Sequence, residues 1–432
     1  MLLRPSPLAQ TALALRSGQR DLLTSIYETC ELIDALEPIL QALLPEPERH
    51  ARLLNEAIAL QERYPEPAQR PPLYGMLIGV KDIIRVDGFA TQAGAHLPPA
   101  LFVGTEASCV SALRRAGALI VGKTVTTEFA FFEPGPTRNP HNTEHTPGGS
   151  SSGSAAAVAA GFCSLALGTQ TVGSVIRPAA YCGVIGFKPS YERISFDGVI
   201  PCSLTVDTLG CFTVDMAGMT LAASLLCKRW QSVQATRRPV LGIPSGPYLE
   251  QVSAEGRLAF EQHIARLEQV GYALHTVPVM ADIEEINHRH QRMVAAEMAN
   301  VHELWFAAYT ELYHSRTATQ LHIGQEVLTN ELQEARAGCL KLRTELENAM
   351  RQYDIDIWVC PATTGPAPEG LTSTGNPLMN LPWTHAGLPA ITLPAGVAEN
   401  GLPLGLQLVA ATMADEYLLA WATSIAELLS TL

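Results

Sequence analysis

Basic residues are scarce in this chain: 29 Lys and Arg stand against 42 Asp and Glu, a net charge of −13 over 432 residues. So acidic a surface has little with which to neutralise a phosphate backbone, which argues against a primary role in binding DNA or RNA and disfavours anionic membranes. Long apolar runs are missing as well. The longest small-residue apolar stretch, Ala155 to Leu167, is interrupted by Gly161, Cys163 and Ser164 and falls short of the roughly 20 residues that span a bilayer. The opening MLLRPSPLAQTALALRSGQR has no long apolar segment ending at a small-residue cleavage site, so export is not expected. Nine cysteines occur without a CxxC pair, the pattern of reduced thiols in a cytoplasmic protein. HExxH is absent, and His288 and His290 stand two apart in a helical stretch, where they do not share a face. Neither a metal nor an organic cofactor is expected.

What is present is a chain 47% hydrophobic and only 16% charged, enough to bury a large core. Apolar residues recur at helical spacing from Asp21 to Leu44 and again from Arg49 to Arg63. From Leu77 onward short apolar strands alternate with helices: Leu77–Val80, Ala118–Val121, Cys163–Gly168, Val184–Phe187, Val240–Ile243 and Ala273–Val277 are strands, and Asp356–Cys360, Ala390–Pro394 and Leu404–Val409 close the series. Between them helices are expected at Glu106–Ala116, Ser152–Ala160, Ala254–Val270, Ile283–Leu312 and Gln325–Tyr353, with a last one at Ala414–Leu429. The alternation predicts an α/β fold with helices on both faces of a sheet. With no linker or repeat, 1–432 is expected to be one domain: a helical layer over 1–70, the main motifs over 71–235, a helical region at the substrate entrance over 236–375, and a return to the core sheet over 376–432.

Two familiar strings are decoys. Gly117 to Thr124 matches GxxxxGK[ST], but its four intervening residues are apolar and should form a strand, whereas a phosphate cradle needs a loop of free backbone N–H groups. Gly149 to Gly153 matches GxSxG, yet the approach from Asn139 to Gly149 is polar and proline-rich where a nucleophile elbow needs a strand.

More specific are the Gly/Ser segment Gly148 to Ser154 and the string Gly168-Thr-Gln-Thr-Val-Gly-Ser174-Val-Ile-Arg177-Pro. Ser174 follows a strand and a turn, Thr171 to Gly173, whose consecutive N–H groups can face a developing oxyanion, as acyl transfer requires. Its hydroxyl needs a base, and no histidine is near in sequence. Lys81, at the end of an apolar strand, serves if burial lowers its pKa.

These pieces, with Gly79-Val-Lys81-Asp82, Arg138-Asn-Pro140, Gly186-Phe-Lys-Pro189 and Leu402 to Leu408, resemble the amidase signature family in both content and order. The resemblance implies a single mixed, twisted sheet flanked by helices and a Ser-cisSer-Lys triad: Ser174 as nucleophile, Ser150 as the bridging serine in a cis peptide, and Lys81 as base. It further implies an oxyanion hole of Thr171, Val172, Gly173 and Ser174, substrate contacts from Arg177 and Gly149, and Ser151 or Ser154 holding Lys81. The reaction implied is cleavage of a small carboxylic amide through an acyl-enzyme, on linear C–N bonds other than peptide bonds.

This chain departs from the usual Asp-x-Gly-Gly-Ser in having Gln170-Thr-Val172-Gly-Ser174, so Val172 is expected to reduce or reshape the acyl pocket. The Gln-Thr-x-Gly-Ser-x-Ile-Arg-Pro string resembles the malonamidase-like branch, with Arg177 binding the carboxylate of a malonamate-like half-amide. Arg177 could equally serve a structural carboxylate. The glutaminase-type component of a tRNA-dependent amidotransferase, working in a complex, and a catalytically silent binding protein of the same fold are the alternatives. The expected partner is a small-molecule amide, with a homodimer left open.

Overall fold

The computed structural model describes residues 3 and 5–430; the remaining residues of the expected 1–432 domain lie outside those described. Ten strands form one sheet: β1 Leu77–Lys81, β2 Leu119–Thr124, β3 Leu165–Gln170, β4 Ile185–Lys188, β5 Thr208–Thr213, β6 Leu241–Ser245, β7 Leu274–Pro278, β8 Ile357–Pro361, β9 Ala390–Val397 and β10 Pro403–Ala410. Their order is β2-β1-β3-β5-β4-β9-β10-β8-β6-β7. The pairs at each end are parallel, β2 with β1, β1 with β3, β8 with β6 and β6 with β7. The middle from β3 through β5, β4, β9 and β10 to β8 is antiparallel. The sheet is therefore mixed, as expected.

Most central strands are buried throughout, so their sequences run nearly continuously apolar instead of alternating. Where residues of β1 do alternate in direction, chemistry follows. Lys81 and Asp82 are neighbours whose side chains take opposite sides of the strand: Asp82 pairs with Lys123 at 2.8 Å and accepts the N–H groups of Gln92 and Ala93, while Lys81 turns to the Gly/Ser segment. This settles the phosphate-loop decoy, since Lys123 sits inside β2 as a buried ion-pair partner.

The helix Ser152–Ala160 is buried along its whole length, which explains its composition. Small side chains let it pack against β1 and β3, and a Cβ on Gly153 would overlap the backbone of Ala42 and Val125. It is preceded by irregular backbone instead of a strand, so the GxSxG string is not an elbow. On β5 lies Met216–Leu226, against which Leu8–Ser17 and Asp415–Leu429 pack. All nine cysteines are buried and free. Among the described residues no helix is long and apolar enough to cross a membrane.

Candidate active site

Strand geometry brings Lys81 and Ser150 into contact and sets Ser174 in the turn that follows β3. β1 and β3 are parallel neighbours, so their C-terminal residues, Lys81 and Thr169 among them, lie at one end of the sheet, and Ser151, just before the Ser152–Ala160 helix, bonds the backbone of Thr169 there. The Gly149–Ser150 peptide is cis. Lys81 Nζ donates to Ser150 Oγ at 2.7 Å and to Thr169 Oγ1 at 2.8 Å. The amine is wholly buried, and burial pulls it down to about 7 against the opposing influence of Asp207 and Cys202. A lysine near neutrality can accept a proton at physiological pH.

Sequence reasoning put Ser151 or Ser154 on Lys81, and the structure places neither there. Ser151 Oγ donates to Thr169 O at 3.2 Å and accepts from Thr169 N. Ser154 Oγ donates to Leu167 O at 2.8 Å and meets Thr124 Oγ1. Both pin the helix start to the sheet, and Thr169 is the missed contact. Its signal was a threonine at the end of an apolar strand, one turn of the pleat from where Lys81 emerges.

Ser174 is nearly buried and ends the turn after β3. The backbone N–H groups of Thr171, Val172, Gly173 and Ser174 donate to no acceptor among the described residues. Four consecutive unpaired donors in a buried turn are unusual, because buried N–H groups are ordinarily bonded. Gln170 supports the turn from within: its Oε1 accepts from Val175 N at 2.8 Å and Ile176 N at 3.0 Å, and its Nε2 donates to Thr384 Oγ1 at 2.9 Å. The carboxamide thus satisfies the first donors of the helix Ile176–Tyr181 and braces the turn against Thr384, which also bonds Val172 O at 2.7 Å. Gln170 stands out in the sequence as a departure; its work as a helix cap required coordinates.

A narrow crevice of about 10 Å³ opens in front of Ser174, room for roughly one water. Val172, Phe131, Phe132, Arg177, Val294 and Pro377 are among its walls. Val172, expected to reduce or reshape the acyl space, is one of the residues that line it. Val294 comes from the 236–375 span expected at the substrate entrance, whereas Pro377 lies just beyond it, in the span expected to return to the core sheet.

Arg177 is buried, and no carboxylate pairs with it among the described residues. Its Nη1 donates to Gly375 O at 2.8 Å, and its Nη2 donates to Gly149 O at 2.7 Å and Thr374 Oγ1 at 3.0 Å. Its Nε is unpaired, and burial lowers the guanidinium to about 10. Gly149 thus meets Arg177 through its carbonyl. A buried cation held only by neutral acceptors carries a charge that nothing local offsets.

Comparison with known proteins follows the same lines. The Amidase family model matches residues 24–419. The A subunit of the glutamyl-tRNA(Gln) amidotransferase of Thermus thermophilus is 32% identical over 91% of this chain and 91% of its own. A crystal structure of an amidase superposes with a TM-score of 0.89 at 31% identity, covering 98% of this chain and all (100%) of the other. A peptide amidase bound to the competitive inhibitor chymostatin gives 0.84 at 26% identity, over 98% and 97% of the two chains.

Proposed function

The chain belongs to the amidase family, and from that premise we propose that it cleaves the C–N bond of a small amide through an acyl-enzyme on Ser174. The observation that carries this reading is the Lys81–Ser150 contact beside a turn of four unpaired N–H groups. Neutral Lys81 takes the proton of Ser150 as Ser150 takes that of Ser174, whose oxygen attacks the carbonyl carbon. Negative charge developing on the carbonyl oxygen meets N–H groups that need no reorganisation to receive it. The relay runs backward to protonate the leaving nitrogen, and water then releases the acid.

The pH dependence has a definite sign. Only the neutral amine can begin the relay, so kcat/KM should rise with pH through an inflection near 7 and level off above it. A pH–rate profile checks this; a rate that falls over that interval would assign the inflection to an acid instead.

The sequence leaves two settings for this chemistry. Similarity across nine-tenths of both chains to proteins named as the A subunit of an amidotransferase supports a glutaminase-type role beside a protein partner better than a malonamate-like amidase. The peptide amidase among the structural relatives leaves the exclusion of peptide bonds without support. Common to both settings is an acyl group that ends in a carboxylate, for which the unbalanced Arg177 is suited. Arg177→Lys should lose activity on amides bearing a carboxylate roughly tenfold more than on neutral ones; equal losses would make the arginine structural.

Ammonia release from glutamine, malonamate and neutral aliphatic amides, with Ser174→Ala as the blank, tests the function. Release lost in the blank supports the reading and ranks the substrates. Release that persists in the blank overturns it, and silence of the isolated chain on every amide assigns the activity to the setting with a protein partner.

A further inference from the structure

Asp207 is a buried carboxylate for which the scheme above has no use. It directly precedes β5, and because β5 runs antiparallel to β3 with Thr208 opposite Gln170, Asp207 comes to rest beside Thr171, the first residue of the oxyanion turn. Its Oδ1 accepts from Thr171 Oγ1 at 2.6 Å, and its Oδ2 accepts from Cys202 N at 2.7 Å and Ser203 N at 2.9 Å. Burial pushes it up to about 6 although these three donors hold it down, so it is ionised where Lys81 is ready to act. No cation pairs with it among the described residues.

Lys81 bonds Thr169 Oγ1, two residues before the Thr171 whose hydroxyl donates to Asp207. Cys202 is a thiol kept protonated by burial. Glu297, from the helix Ile283–Tyr309, acts on it from behind Ser203, accepting from Ser203 Oγ at 2.7 Å, and is itself paired with Arg336. Tyr191 feels the same carboxylate from farther off. Lys81, across the turn, is favoured in its ammonium form by Asp207.

We propose that Asp207 is a positioning residue for amide cleavage, fixing the oxyanion turn through the Thr171 hydroxyl and supplying the buried negative charge that offsets Lys81 once it holds a proton. The inference rests on the relay proposed above. When Ser174 attacks, its proton passes to Ser150, the proton of Ser150 passes to Lys81 Nζ, the oxygen–carbon bond forms, and the carbonyl electron pair moves to oxygen. Charge separates inside a dry site: an oxyanion on the turn and an ammonium with only hydroxyl partners. An ammonium without a counter-charge is costly to bury. One carboxylate bonded to the turn serves both ends.

The test is the rate at which a fluorophosphonate labels Ser174 as a function of pH, which needs no knowledge of the natural substrate. In Asp207→Asn the amide can keep the same partners, with its oxygen on the two N–H groups and its NH₂ donating to the Thr171 hydroxyl. Its labelling should level off roughly tenfold below the wild type, with the inflection moved to lower pH because Lys81 has lost its counter-charge. Thr171→Val removes the link and keeps the charge, so it should lower the plateau roughly tenfold and leave the inflection in place. An unmoved inflection in Asp207→Asn, or an unchanged plateau in Thr171→Val, overturns the inference. Should Asp207→Asn not fold, the Thr171→Val plateau decides. Failure of the wild type to label at Ser174 would remove the proposed function and this inference together, whereas an unmoved inflection with labelling intact removes this inference alone.

Discussion

Lys81→Met should lose at least about 10⁴-fold in kcat/KM while remaining folded. Methionine fills the volume of the lysine stem with an apolar, unbranched chain, and the site is already wholly buried, so packing is retained. What disappears is the one basic group bonded to Ser150. Without it Ser150 has nowhere to pass a proton, and the Ser174 hydroxyl stays a weak nucleophile. Thermal stability should change little or rise, because a buried amine that is costly to desolvate is replaced by a group that is not. Any remaining activity should have no inflection near pH 7. Steady-state kinetics beside a thermal melt checks both parts; a folded variant keeping more than about one-hundredth of the activity would take Lys81 out of the relay.

Gly173→Ala is the second large loss, about 10²–10³ in kcat. A Cβ at this position would overlap Asn380 Oδ1 and press on Pro377 at 3.1 Å. Asn380 cannot readily yield, since its Nδ2 is held by Ala362 O at 2.8 Å and Gln407 Oε1 at 3.0 Å. The turn must then move, and its free N–H groups move with it. Because these groups meet charge that exists only as the reaction proceeds, kcat should fall much more than KM rises. An unchanged kcat would show that the N–H groups of this turn do not hold the oxyanion.

Legibility in the sequence tracked the type of signal. β1 is plain because an apolar run ends abruptly in two charges, and the Ser152–Ala160 helix is plain because Gly and Ala fill it. The span from 188 to 237 offers no clear periodicity, yet it holds β5 and the helix Met216–Leu226. β5 is buried on both sides, so Thr208 to Thr213 shows no alternation, and Gly210 makes it resemble a turn. Asp215 accepts Gly218 N as the cap of the next helix, a signal that could have been used. Asp207 escapes notice along with the strand it introduces. By contrast, the helix expected over Gln325–Tyr353 forms as Thr329–Gln352, whereas the helix Ser315–Gln325 just before it has no counterpart in the sequence reading.

Side-chain partners are harder to see than positions. Lys81, Ser150 and Ser174 can be named from the family resemblance, but the contact of Lys81 with Thr169, the bracing by Gln170 and the neutral cradle of Arg177 depend on how strands distant in sequence lie together. Such contacts have no local pattern.

The most direct test of the account is to treat the intact protein with a fluorophosphonate and map the adduct by mass spectrometry, in the wild type and in Lys81→Met. A single adduct on Ser174, formed by the wild type and lost in the variant, is the predicted result. An adduct on another residue, or equal labelling of Ser174 in both proteins, would contradict it.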